Sequence, residues 1–132
     1  MYGFKDDIEK LTLENSNFRS VLYTAQHSQL VLMSLKPNEE IGSEVHPLSD
    51  QFFRFEQGHG KVIIDGTEYQ ITDGDAVIIP AGAEHNVINL SESEPLKMYT
   101  IYSPPHHRDK VIHVTKEEAE KDSEKFEGIT TE

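Results

Sequence analysis

From Phe18 to about Tyr102 the chain reads as short runs rich in β-branched and aromatic residues, many of them alternating apolar with polar positions. Gly, Pro, Asn and Asp break these runs every eight to twelve residues or so, which is the pattern of an all-β sandwich or barrel. The runs predict strands at Ser20–Ala25, Gln29–Leu35, Ile41–Val45, Gln51–Gln57, Gly60–Asp65, Thr67–Ile71, Ala76–Pro80, His85–Asn89 and Lys97–Tyr102. Asp65-Gly66 separates two of them and predicts a tight hairpin, since a type I′ turn needs positive φ at both central residues. Outside the strands, Asp6–Leu11 predicts a short helical turn. Thr115-Lys116-Glu117-Glu118 reads as a capping box opening a short charged helix through about Lys125, with 127–132 frayed. The expected organisation is an N-terminal extension (1–18), a barrel (19–103) and a C-terminal loop with a short helix (104–132).

At 132 residues one domain is the natural reading, with 36% apolar side chains to build its core. The formal net charge of −12, without any basic cluster, argues against nucleic acid or an anionic membrane as partner. The chain has no cysteine, which removes disulfides, thiolate metal sites and thiol nucleophiles. The first residues carry no apolar signal-peptide core, and runs such as Leu30–Met33 are far too short to span a bilayer. A cytoplasmic protein is expected.

Two blocks carry chemistry. In Gly74–Asn89, a glycine, Pro80, Gly82, His85 and Asn89 stand at the spacing G-x5-P-x-G-x2-H-x3-N. Pro80 and Gly82 turn the chain so that His85 returns along the next strand. His85 and Asn89, four apart, share one strand face. In Glu44–Gly58, Glu44 and His46 are two apart, so both face the same way, and Gln51 follows on the next strand. The first block resembles the second motif of the cupin superfamily at every fixed position. The second resembles the first cupin motif, G-x5-H-x-H-x3,4-E-x6-G, with Glu44 at the first His, His46 at the second and Gln51 at the acidic position, seven before Gly58. Asn38 stands where the early glycine is expected, and Gly42 is out of register.

The resemblance, to small single-domain type-2, RmlC-like cupins, covers roughly residues 30–102. It implies an all-β double-stranded β-helix, or jelly-roll barrel, with a short C-terminal helix. It also implies one divalent metal ion in the barrel mouth, held by Glu44, His46, Gln51 and His85. This set has the same single negative charge as the usual three His and one Glu, with the carboxylate moved. Two His and one carboxylate suit Fe or Zn, and added oxygen donors bring in Mn, with Ni as a further choice. The competing reading is a barrel that keeps the scaffold without the metal.

By alternation Phe53 and Phe55 point inward, as core or as walls of a substrate pocket, while Phe52 points outward and offers a homodimer surface. His106 and His107, after two prolines, are expected in a solvated loop, the alternative being a second site or a gate at the barrel mouth; His27 and His59 are expected at surface turns. Tyr99, Ile101 and Met33 are expected in the core. The functional expectation is a metal-dependent enzyme, of dioxygenase or Lewis-acid type, acting on a small polar molecule. Tyr69, Tyr99 and Tyr102 qualify as acid/base groups by residue type alone. The alternatives are a non-catalytic small-ligand binding or sensing module, and a sugar-phosphate isomerase or epimerase. The last needs an arginine in the cup, and alternation turns Arg54 outward.

Overall fold

Alternation fixes which side chains each strand turns inward, and the inward faces of nine strands close around one core. The computed structural model describes residues 1–132. In chain order the elements are α1 (Ile8–Glu14), β1 (Arg19–Thr24), β2 (Gln29–Leu35), β3 (Asp50–Gln57), β4 (His59–Ile64), β5 (Thr67–Thr72), β6 (Ala76–Ile79), β7 (His85–Asn89), β8 (Leu96–Ser103), β9 (Ile112–His113) and α2 (Lys116–Lys121). They form a six-stranded sheet in the order β6-β3-β8-β2-β1-β9 and a three-stranded sheet in the order β5-β4-β7. All pairings are antiparallel, and neighbours far apart in sequence, such as β2 with β8, give the jelly-roll its crossovers. No helix is long and apolar enough to cross a membrane.

The inward positions of both sheets meet in a cluster of 16 buried apolar residues, Phe53, Phe55, Leu35, Met98 and Val62 among them. In β3, Gln51, Phe53 and Phe55 are buried while Phe52, Arg54 and Glu56 are half-buried on the outer face. Asp65 and Gly66 take φ of 46° and 83°, the two positive values the β4–β5 hairpin requires. Asn38 has φ 62°, so the position where the motif expects glycine keeps glycine's left-handed backbone with the non-glycine residue best suited to it.

Several expectations need correction. Ile41–Val45 forms no strand, although it runs beside β7 and bridges to it at Glu40↔Ile88 and Glu44↔His85. Gly42, at φ 105°, bends the backbone out of the ladder between those bridges, and its N–H is taken by Asn86 Oδ1 (2.9 Å). β9 is an additional strand, too short at two residues to carry a pattern. α2 ends at Lys121 rather than near Lys125. Tyr99 and Ile101 lie on the outer face of β8, where Tyr99 packs against Phe52 (ring centroids 6.2 Å apart), so Phe52 is partly covered from within its own sheet. Phe53 and Phe55 are both 0% exposed and stack on one another at 6.0 Å, which makes them core and not pocket wall. His27 and His59 are exposed, as expected.

Candidate metal centre

The segment carrying Glu44 and His46 is stitched to β7 by main-chain bonds. Glu44 and His85 exchange both N–H···O=C bonds at 2.9 Å, and Gly82 N–H donates to His46 O at 2.9 Å. The second contact depends on the Pro80–Ala83 turn, in which Gly82 takes φ 89°. Asp50 Oδ1 accepts from Ala81 N (2.8 Å) and Asp65 Oδ1 from Glu84 N (2.9 Å), fixing the turn from both sides. Side chains 39 residues apart in sequence are thus held together by backbone rather than by their own contacts.

The result is one cluster. Glu44, His46 and His85 each offer a ligand atom, and all three atoms lie within 4.8 Å of one another. His46 Nε2 is 3.0 Å from Glu44 Oε2 and His85 Nε2 is 3.9 Å from the same oxygen. Ligands about 2.1 Å from one ion stand roughly 3.0–3.4 Å apart, so small side-chain movements would seat one. His85 Nδ1 lies 3.0 Å from Ala83 O. With Nδ1–H donating there, Nε2 keeps its lone pair, and this atom is buried without a partner.

Gln51, 2% exposed, approaches from β3 in the other sheet. Its Nε2 donates to Thr100 Oγ1 (3.0 Å), whereas its Oε1 is buried and unpartnered. The orphaned His85 Nε2 beside a carboxylate and a second imidazole fits a divalent cation, and Gln51 Oε1 is a second buried acceptor left without a partner. Burial by itself would raise the Glu44 carboxyl, but the hydrogen bond and charge of His46, with Arg19 and His85 further off, hold it below the usual carboxylate range.

Further groups complete the mouth, His106 and His107 by the less favoured of their two sequence readings and Arg19 without any. His106 is no solvated loop residue. Its ring lies 4.2 Å from that of His46 and stacks on Tyr102 at 5.3 Å. Burial, together with His107 and His46, lowers its pKa to about 4, so it is neutral at pH 7. His107 is 5% exposed. Its Nδ1 donates to Glu124 Oε1 (2.6 Å) and its Nε2 accepts from Tyr102 Oη (3.2 Å). Burial pushes the Tyr102 phenol well above its ordinary range. Of the three tyrosines considered, Tyr69 is exposed and Tyr99 faces outward, leaving Tyr102 in the cup. The third group is Arg19, on the inner face of β1, which with Glu44, His106, His107 and Glu124 lines a mouth cavity of about 220 Å³. Its phase with the buried Val21 was the available signal. For His106 and His107 the only signal was their position just after inward-facing Tyr102.

Residues 31–102 match the family model described as the cupin domain. The chain is 44% identical over 122 residues to the YrkC protein of Bacillus subtilis, covering 88% of this chain and 65% of that protein. It is 45% identical over 105 residues to the L612 protein of Acanthamoeba polyphaga mimivirus, covering 76% of this chain and 65% of that one. The chain therefore spans a little under two thirds of the length of these two relatives. The crystal structure of BH2720 from Bacillus halodurans superposes with a TM-score of 0.87 at 41% identity, covering 90% of this chain and 94% of that one. With the jelly-roll sheets, both motif segments facing one another across the mouth and these matches in agreement, the chain belongs to the cupin domain family.

Proposed function

We propose that the mouth of the barrel holds one divalent metal ion on Glu44, His46 and His85, with Gln51 Oε1 as a weak fourth donor. On this reading the protein is a metal-dependent enzyme acting on a small polar molecule. The carrying observation is His85 Nε2, buried, oriented by Ala83 and without a protein partner, next to two other ligand atoms. Fe, Mn, Zn and Ni all suit this donor set. When bound, such an ion supplies Lewis acidity, or redox chemistry if it is iron.

The remaining roles belong to the chain itself. Tyr102 stays protonated and donates to His107, whose far nitrogen is held by Glu124, so the phenol is oriented and its proton has a defined acceptor. Neutral His106, on the cavity wall, offers a ligand one hydrogen-bond donor and one acceptor at pH 7. A cavity of about 220 Å³ is below the size that takes a drug-like molecule, which supports a small ligand.

The test is elemental analysis of protein purified without a His-tag or chelator, beside a His85→Ala variant. The expected result is about one equivalent of Fe, Mn, Zn or Ni in the wild type and none in the variant. Wild-type protein that contains no metal, and whose melting temperature does not rise when these ions are added, would refute the site. The barrel would then be read as a non-catalytic small-ligand module.

A further inference from the structure

Arg19 is the one arginine of three that points inward. Arg54 pairs with Glu56 (2.8 Å) on the outer face of β3, and exposed Arg108 lies 3.9 Å from Asp122. Arg19 is 7% exposed, yet no carboxylate forms an ion pair with it. Its Nη1 donates across 3.3 Å to His113 Nδ1, and its guanidinium lies over the Phe18 ring at 5.3 Å. Its Nε is buried without a partner. A buried cation in this condition is unusual, because desolvated charge is normally matched by an opposite charge.

Glu44 and Glu124 feel the Arg19 charge across the cavity, but neither reaches it as an ion pair, and each is bonded elsewhere. Glu124 accepts from His107 Nδ1 (2.6 Å) and from Arg108 N (2.7 Å), and Asp122 accepts from His113 Nε2 (3.0 Å). Lys116 and Glu120 face one another at 3.8 Å. Glu44 feels the Arg19 charge but is bonded to His46 (3.0 Å), and an ion bound to it would cancel its charge. The loaded mouth would then hold a residual positive charge at the ion and a second at Arg19, in one cavity of about 220 Å³.

We propose that Arg19 anchors the carboxylate of a small carboxylic acid whose other end reaches the Glu44–His46–His85 site. The proposal rests on the metal reading for that other end, but the anchor itself does not. A guanidinium's N–H groups match the two oxygens of a carboxylate, and here Nε has no protein acceptor while Nη1 has only His113. One unmatched guanidinium fits one negative charge. A phosphate dianion carries more charge than one unpaired guanidinium answers, and the cavity's other cation, Lys116, already faces Glu120, which disfavours it.

The test follows the Arg19 Nε–H signal in ¹H–¹⁵N NMR of the full chain, assigned with Arg19→Lys. Propionate is titrated into metal-free and zinc-loaded protein, with propionamide as the neutral isostere and inorganic phosphate as the rival anion. The expected result is a saturable shift with propionate alone and, followed in wild type and variants alike by the backbone amide signals of the cavity residues, binding weakened about ten-fold or more in Arg19→Gln. Retained charge keeps Arg19→Lys folded and binding at intermediate strength. Equal binding of propionamide, tighter binding of phosphate, no saturable shift in the wild type, or unchanged affinity in a folded Arg19→Gln would each overturn the proposal. Zinc content is measured separately, so a failed metal site shows as missing zinc while the metal-free titration still reports on Arg19.

Discussion

Replacing Gln29 by Met should loosen the whole histidine-bearing edge of the mouth. Gln29 opens β2 and is 1% exposed. Its Nε2 donates to Thr24 Oγ1 (2.9 Å) and His107 O (2.7 Å), while its Oε1 accepts from His106 N (3.1 Å) and His107 N (2.9 Å). One amide therefore ties the loop after β8 to two strands. Met keeps the length and nearly the volume, so no cavity opens and the lost bonds dominate. At about 1 kcal/mol for each of four neutral bonds, the loss is about 4 kcal/mol, a large part of the 5–15 kcal/mol typical of a domain. For a chain of this size that corresponds to a melting temperature roughly 12–20 °C lower. Urea unfolding with an unchanged m-value measures it directly. A loss below about 1 kcal/mol would show that the loop is held by something else and that the bond count is the wrong measure.

Two further outcomes follow. Gly60→Ala places a Cβ 2.2 Å from Ile88 O, a backbone atom of the paired β7, so strands must part; a loss of about 2–3 kcal/mol or more is expected in chemical denaturation, and a neutral substitution would contradict the packing of β4 on β7. The Glu124 carboxyl is held at about 2 although burial opposes this, through His107 and the Arg108 N–H. Its folded pKa lies below its ordinary value of 4.5, so its contribution is complete above that value and is lost as pH falls from there toward 2. Melting curves of wild type and Glu124→Gln should accordingly converge between pH 5 and pH 2, and a constant gap would refute the pairing.

What the chain reveals in advance follows the range of the interactions. Asp65-Gly66 is local chemistry and marks its hairpin outright. The period of two in β3 is also local, and it turns Gln51 inward with Phe53 and Phe55. The segment at Glu44 reads as a strand because its side chains alternate, but strand identity needs a ladder and Gly42 interrupts it. His106 and His107 carry only a faint sequence signal of burial, their position just after inward-facing Tyr102. Their place is set by Gln29, more than seventy residues earlier, and by Glu124 from beyond α2. Arg19 is hidden for the opposite reason: an arginine on a strand reads as surface, and only its phase with Val21 turns it inward.

The three clustered ligand atoms lie on the rim of the barrel, and none of their residues belongs to the 16-residue apolar core. Small zinc domains cannot fold without their ion because it stands in for a core they lack. Here the scaffold is finished before anything occupies the rim. If the proposed ion binds there, a chelator should strip it and leave the barrel standing, and another ion of similar preference should replace it. The metal carried in a cell would then record supply as much as selectivity, and metal content measured after expression in one host would describe that host's cytosol as well as the protein.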